Sequence, residues 1–364
     1  MDDDTIHRRF NPLINKWVLC SPHRARRPWV GQNEKQTDQQ LPEYDAKCAL
    51  CPGNTRAGHT SPNPQFDPTF VFTNDFPALI PSADGLAPAA TTTSTQQDSI
   101  ESQLLISTPV SGTCKVLVFT PSHNRTLAHL STDSITRVLE TCIETIHEIT
   151  RDHTDVSYVQ LFENKGAVMG CSQPHAHAQC WATSYVPQEV SDELEALKAF
   201  RDRNVGKCLL CEYARVESAK AAERVVWEDD EFMVVVPYWA VWPFETMIVA
   251  KSHVSSLTDL SAAQTASLAA AIKNITTRYD NLFETSFPYS MGVHGAPVRG
   301  DKDSIEASHL HLHFYPPLLR SATVKKFLVG FEMLGESQRD LTAEMAAARL
   351  RGVSGDVHYS EKQQ

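Results

Sequence analysis

Residues 162–181 read Phe162-Glu-Asn-Lys-Gly-Ala-Val-Met-Gly-Cys-Ser-Gln-Pro-His-Ala-His-Ala-Gln-Cys-Trp181, and the second half of this stretch sets the expectation for the fold. On an extended chain, residues two apart point to the same face. His175, His177 and Gln179 therefore form one polar row, while Ala176, Ala178 and Cys180 leave the opposite row small and apolar. A polar face on a surface strand is the plainer alternative. Two imidazoles and an amide in register, backed by a row suited to a core, favour a strand that carries chemistry.

Working outward from this strand, the elements before it recur after it. The first half contains Cys48-x-x-Cys51, Phe72-Thr-Asn-Asp-Phe76 and Val116-Leu-Val-Phe-Thr-Pro-Ser-His123. It continues with an amphipathic helix over 134–151, a strand over 156–162, and His175-x-His177. The second half contains Cys208-x-x-Cys211, Trp227-Glu-Asp-Asp-Glu-Phe232 and Met247-Ile-Val-Ala-Lys-Ser-His253, then a helix over 261–279 and His311-x-His313. A repeat of this length implies one supersecondary unit used twice, with the copies packed together. The fold expected is α+β, two copies of one unit with antiparallel sheets and flanking helices, divided as residues 1–195 and 196–364. A strand over 16–19, a helix over 192–201 and polar loops over 31–45 and 82–103 complete the pattern.

Three constellations carry chemistry. In the first, a neutral imidazole can attack phosphorus and form a covalent intermediate, provided its other nitrogen donates to a fixed acceptor. His177 suits that role, with Gln179 donating to a non-bridging phosphate oxygen. Ser172, Gly166 and Gly170 suit a loop whose backbone N–H groups approach phosphate. In the second, Cys48 and Cys51 have zinc-knuckle spacing, and Pro52-Gly53 breaks the helix that a redox dithiol would open. His123 and His175 are the best candidates to complete a closed structural site. In the third, His294, His311 and His313, with His309 nearby and Glu193 as a carboxylate, suit a divalent transition metal. Polar packing stands as the alternative there. By symmetry with the first half, Cys208 and Cys211 could join His253 and His311. One imidazole cannot serve two ions comfortably, so the expectation is that His311 belongs with Glu193 and that Cys208 and Cys211 are free or weakly bound. Arg24 and Arg27 lie in a Pro-bounded loop, either gripping phosphate or simply solvated.

Composition sets the outer limits. The 364-residue chain carries a net charge of -11, which argues against general binding to a nucleic-acid backbone. The start, Met1-Asp-Asp-Asp4, lacks the basic and apolar regions of a secretory signal, and no long apolar run suggests a membrane span. Nine cysteines, an odd number, read as thiols or metal ligands in a reducing compartment. A cytoplasmic location is expected.

The 162–181 stretch resembles the active-site signature of the galactose-1-phosphate uridylyltransferase family, a branch of the histidine triad superfamily. SPHRARRPW, CALCPGN, FTNDFPAL, FTPSHNRTL, VVPYWAVWPFET, SFPYSMGVHGAP and HFYPPLLRSATVKKFLVGFEML extend the resemblance from about residue 8 to about residue 350. The resemblance implies a duplicated histidine-triad-like unit. It also implies exchange of a uridylyl group between UDP-glucose and galactose 1-phosphate, giving UDP-galactose and glucose 1-phosphate, through a uridylylated His177. Gln179 matches the residue that bonds the transferred group. Cys48, Cys51, His123 and His175 match a structural zinc site, and Glu193, His294, His311 and His313 match a second site for iron or zinc. Phe72, Asn74 and Asp75 match nucleoside contacts. Arg24, Arg27, Asn164, Ser172, Lys326, Phe327, Val329, Gly330, Glu332 and Gln338 match substrate contacts, some of them reaching across a homodimer. The sequence departs from the family's pattern at Ala176, where proline is usual, at Ala178, where glycine is frequent, and at Phe331, where some members have tyrosine. None of these changes removes His177 or Gln179. Two other functions remain: an adenylyl-transferring relative such as an ADP-sugar phosphorylase, and a nucleotide-binding relative without chemistry.

Overall fold

The computed structural model describes residues 6–20, 41–82, 100, 104–220 and 223–361. Arg24 and Arg27 lie outside the described residues, as do most of the loops expected over 31–45 and 82–103. The chain opens with the antiparallel pair β1 (His7–Asn11) and β2 (Lys16–Cys20). Next come β3 (Phe70–Thr73) and β4 (Gly112–Val118). A Cβ on Gly112 would sit 2.0 Å from the Ala182 carbonyl oxygen, so only glycine lets the backbones approach this closely. Helix α1 (Thr132–Asp152) starts where the Ser131 side chain accepts from the Ser134 N–H, and it buries Ile135, Val138, Leu139, Cys142 and Ile149 at helical spacing. Strands β5 (Tyr158–Lys165) and β6 (His177–Thr183) complete the first copy, and α2 (Gln188–Arg203) leads out of it.

The second copy begins with α3 (Leu209–Ala219), then the hairpin β7 (Val225–Glu228) and β8 (Phe232–Val235), then β9 (Thr246–Ala250). A capping box between Ser261 and Gln264 starts α4 (Ala262–Phe283). After α4 come β10 (Tyr289–His294), α5 (Lys302–Ala307), β11 (His311–Tyr315), α6 (Phe331–Leu334), β12 (Ser337–Arg339) and α7 (Ala343–Arg351). Among the described residues, no helix is long and apolar enough to cross a membrane.

The nine-stranded main sheet runs β3-β4-β6-β5-β10-β11-β9-β8-β7, with antiparallel neighbours throughout. The order β4-β6-β5 is mirrored by β10-β11-β9, so the copies meet where β5 pairs with β10. Helices α1 and α4, at matching places in the two copies, pack against each other on one face of the sheet. The α+β expectation of a duplicated unit thus holds. The small sheet departs from the antiparallel pattern: β12 pairs with β2 in parallel, stitching the C-terminal part to the N-terminal strands.

Burial explains why strands of the second copy read as unbroken apolar runs. Val234 and Ile248 face the α4 core, while Met233, Val235, Met247 and Val249 face a second core built on Leu209, Leu210 and Ala214 of α3. A sheet covered on both faces has no use for polar alternation. In the first copy no described residue covers the face opposite α1 in this way, and there Gln160, Phe162 and Asn164 of β5 and His177, Gln179 and Trp181 of β6 are only partly buried.

The structure corrects one alignment of the two halves. His175-x-His177-x-Gln179 corresponds to His309-x-His311-x-His313, not to a pairing of His175 with His311. His175 Nε2 meets the Thr120 carbonyl at 2.7 Å, and His309 Nε2 meets the Ala250 carbonyl at 2.8 Å. Thr120 and Ala250 each stand three residues before the histidine that closes the corresponding motif, His123 or His253. A shift of two residues leaves every side chain on the same strand face, so sequence pattern alone does not fix it.

Candidate active site and metal centres

His177 opens β6, and its Nδ1 lies 2.8 Å from the His175 carbonyl oxygen. A carbonyl only accepts, so Nδ1 carries the proton and Nε2 keeps its lone pair. The fixed acceptor that His177 requires is thus the carbonyl of His175. Burial lowers the His177 imidazole below its ordinary pKa and so favours the neutral form, against the raising effect of this hydrogen bond. Two residues on, Gln179 Oε1 accepts from the Trp181 indole N–H at 3.0 Å and lies 3.5 Å from the Asn74 amide nitrogen. With its oxygen engaged, the Gln179 amide presents its N–H donors. The row combines a nucleophilic nitrogen with a donor oriented beside it. Trp181 was not singled out from the sequence, although its position two residues beyond Gln179 puts it in the same row.

Cys48, Cys51, His123 and His175 come together with their ligand atoms within 4.8 Å of one another, all four buried. Cys48 Sγ lies 3.6 Å and Cys51 Sγ 3.5 Å from His175 Nδ1, and Cys51 Sγ lies 3.7 Å from His123 Nδ1. A tetrahedral zinc with usual bond lengths would set sulfur and nitrogen about 3.5 Å apart. The His175 Nε2–H bond to Thr120 fixes the tautomer that aims Nδ1 at the sulfurs. Such an ion would tie the 48–51 turn to the residue whose carbonyl holds His177.

Glu193, His294, His311 and His313 form another group that could hold a metal. Helix α2 lowers Glu193 onto the sheet face where β10 and β11 present the histidines. His294 Nδ1 is 2.8 Å from Glu193 Oε2. Burial would raise the Glu193 carboxyl, but His294, His311 and His313 together hold the carboxylate well below its usual range. Burial pushes His313 down to about 4, leaving its imidazole neutral. His311 Nε2 and both ring nitrogens of His313 are buried without a hydrogen bond among the described residues, although Glu193 oxygens lie 3.5 and 3.4 Å away. Orphaned buried nitrogens aimed at a carboxylate fit a cation, and histidines with one carboxylate suit a transition metal.

The conflict expected over His311 does not arise. His309, not His311, faces Cys208 and Cys211, with His253 as the fourth member. His311 Nδ1 meets the His309 carbonyl at 2.7 Å, as His177 does with His175. The reason for expecting Cys208 and Cys211 to be free therefore falls.

The remaining candidate site residues lie at several places in the fold. Phe72, Asn74 and Asp75 lie at the end of β3 beside β4 and β6. The Arg56 guanidinium sits 3.7 Å over the Phe72 ring and bonds Asp75 at 2.8 Å, and His59 bonds Asp75 at 2.7 Å. Neither Arg56 nor His59 stood out in the sequence, because only folding brings their loop to β3. Asn164 accepts from the Ser290 hydroxyl at 2.7 Å across the joint between the copies, and Ser172 is exposed on the loop before β6. Lys326, Phe327, Val329, Gly330 and Glu332 belong to an arm over 324–338. Lys326 pairs with Glu332 there, and Phe327, Val329, Phe331, Met333 and Leu334 are exposed. Gln338 is buried in β12 and donates to Asp340 at 2.7 Å.

Comparison with known proteins gives a consistent assignment. The family model for the galactose-1-phosphate uridyl transferase N-terminal domain matches residues 1–187, and that for the C-terminal domain matches residues 192–363. The chain is 48% identical to a galactose-1-phosphate uridylyltransferase of Haemophilus influenzae, covering 98% of this chain and 96% of that one. It is 45% identical to one of Neurospora crassa, covering 99% and 98%. Among solved structures, an ADP-glucose phosphorylase from Arabidopsis thaliana with bound ADP-glucose superposes with a TM-score of 0.71 at 25% identity, covering 96% and 99%. A uridylyltransferase superposes with a TM-score of 0.70 at 25% identity, covering 96% and 98%.

Proposed function

The chain belongs to the galactose-1-phosphate uridyl transferase family, and on that premise we propose that it exchanges a uridylyl group between UDP-glucose and galactose 1-phosphate. The observation that carries the mechanism is the His177 ring, with Nδ1–H held by the His175 carbonyl and Nε2 left as a lone pair beside the Gln179 amide. In the first step the Nε2 lone pair attacks the α-phosphorus of UDP-glucose. The bond from that phosphorus to the bridging oxygen breaks, and glucose 1-phosphate leaves with the electron pair. In the second step a phosphate oxygen of galactose 1-phosphate attacks the same phosphorus. The phosphorus–nitrogen bond breaks, the pair returns to Nε2, and UDP-galactose departs. Gln179 donates to a non-bridging oxygen as its charge develops, and the Nδ1–H bond stabilises the ring as it takes on positive character.

In this reading Cys48, Cys51, His123 and His175 hold a structural zinc, and Glu193, His294, His311 and His313 hold iron or zinc. What these ions supply is cross-linking of the segments that carry the strand ends. Phe72, Asn74 and Asp75 contact the nucleoside. Arg24, Arg27, Asn164, Ser172 and the 324–338 arm contact the sugar phosphates. The exposed apolar tip of that arm supports a homodimer in which it reaches the partner's site.

The test is intact-protein mass after mixing with UDP-glucose and no acceptor. An acid-labile uridylyl adduct is expected, absent in His177→Ala and discharged by galactose 1-phosphate. The Arabidopsis neighbour supports a second reading, adenylyl transfer, and an adduct formed only from ADP-glucose would select it. Absence of an adduct with either nucleotide sugar would leave a binding protein.

A further inference from the structure

We propose that Cys208, Cys211, His253 and His309 form a zinc site, the counterpart in the second copy of the Cys48 group. Their ligand atoms all lie within 4.8 Å of one another. Cys208 Sγ is 3.3 Å and Cys211 Sγ 3.7 Å from His309 Nδ1, bracketing the spacing of about 3.5 Å that a tetrahedral zinc would impose. The His309 tautomer is set from outside the cluster, because Nε2–H must donate to the Ala250 carbonyl at 2.8 Å, leaving Nδ1 as the lone pair facing the sulfurs. The two imidazole rings stand 5.6 Å apart at 65°, comparable with 5.3 Å and 89° for His123 and His175. Two thiolates and two neutral imidazoles would neutralise one divalent cation, and four protein ligands close its coordination.

The site would join three elements. Cys208 caps the start of α3 without a side-chain hydrogen bond to it, His253 follows β9, and His309 leads into β11. Because the His309 carbonyl holds His311, an ion here would brace the strand that aims His311 and His313 at Glu193. The two Cys2His2 groups differ in access. The Cys48 group is wholly buried, whereas Cys208, Cys211 and His253 line an open cleft of about 550 Å³ with Arg201 and Glu306. Zinc at the second group should therefore leave to a chelator sooner than zinc at the first.

The test counts metal in the full-length protein and does not depend on activity. Cys208→Ser with Cys211→Ser should lower zinc by about one equivalent per chain, measured by plasma mass spectrometry. In the cobalt-substituted protein the same pair should remove about half of the thiolate-to-cobalt absorption, leaving the Cys48 contribution. Should the variant misfold, the natural chain gives the same answer through iodoacetamide labelling read by peptide mass. Cys208 and Cys211 should be protected in the zinc-loaded protein and labelled after brief chelation. Unchanged zinc in a folded double variant, labelling of both cysteines with zinc present, or a Cys208–Cys211 disulfide in protein isolated under reducing conditions would each overturn the proposal. A failed uridylyl adduct would leave it intact.

Discussion

At the scale of single residues, the site depends on which atom of each polar group is already engaged. The Gln179 amide could point either way, and the Trp181 indole N–H, 3.0 Å from Oε1, sets it. Trp181→Phe keeps the aromatic packing against Phe162 but removes that donor. The lost hydrogen bond is worth about 1 kcal/mol, so kcat should fall roughly fivefold with little change in KM. Gln179→Ala should cost more, on the order of 10²-fold, because it removes the group that meets the developing charge. Trp181→Phe added to Gln179→Ala should then cost almost nothing further, which steady-state kinetics of the double-mutant cycle would show. A full fivefold loss in both backgrounds would mean that Trp181 acts by packing and not through the amide. The His177 row was legible in the sequence because two-residue alternation is a local property. Its supports, Trp181 on Gln179 and Arg56 on Asp75, were not, because each depends on an orientation or approach that only the folded chain supplies.

At the scale of elements, the joint between strand and helix is ionic. Lys165 ends β5 and Asp280 lies near the end of α4, and their side chains meet at 2.6 Å with 5% and 1% exposure. Asp280 also accepts from the Phe287 N–H at 2.8 Å and lies 3.3 Å from His358 Nε2. Burial would raise the Asp280 carboxyl, but Lys165, with His358 and the Phe287 N–H, holds the group below its usual value. Asp280→Asn would leave the Lys165 ammonium buried without a counter-charge. Stability should fall by about 3–5 kcal/mol, measured by urea denaturation. A change below about 1 kcal/mol would show that Lys165 finds water or another partner. The strand expected over 156–162 and the helix expected over 261–279 follow from the order of the repeat, which does not reveal this tie, because a lysine and an aspartate 115 residues apart carry no periodic signal. The repeat as read from the sequence also set the second copy's histidine motif two residues out of phase. The apolar pattern constrains only which face a side chain occupies, and that shift preserves the face. The position was decided by carbonyls at the ends of neighbouring strands, Thr120 just past β4 and Ala250 closing β9.

At the scale of the whole molecule, the two copies are joined edge to edge, and the seam contains a carboxyl that senses pH. Glu163 on β5 stands opposite Met291 on β10 and accepts the Tyr289 hydroxyl at 2.9 Å. Burial pushes its pKa up to about 7, against the lowering effects of Tyr289 and Lys165, while Asp280 adds to the rise. The folded chain therefore keeps a proton that the unfolded chain releases near the ordinary carboxyl value of about 4.3. This contribution to stability is fully present below the unfolded pKa. It declines by on the order of 1.4 kcal/mol per pH unit as pH rises, and is exhausted once pH passes the folded pKa. Glu163→Gln keeps an acceptor for Tyr289 and removes the titration. The stability difference, natural chain minus variant, should therefore shrink between pH 5 and about 7 and level off by about pH 8. Denaturant midpoints of both proteins across that range measure it. A constant difference would mean that Glu163 is ionised in the folded state throughout, with Lys165 overcoming the burial. A falling difference would place a neutral carboxyl at the seam, so that the joint between the copies is held by a proton below neutral pH and carries an unfavourable buried charge above it.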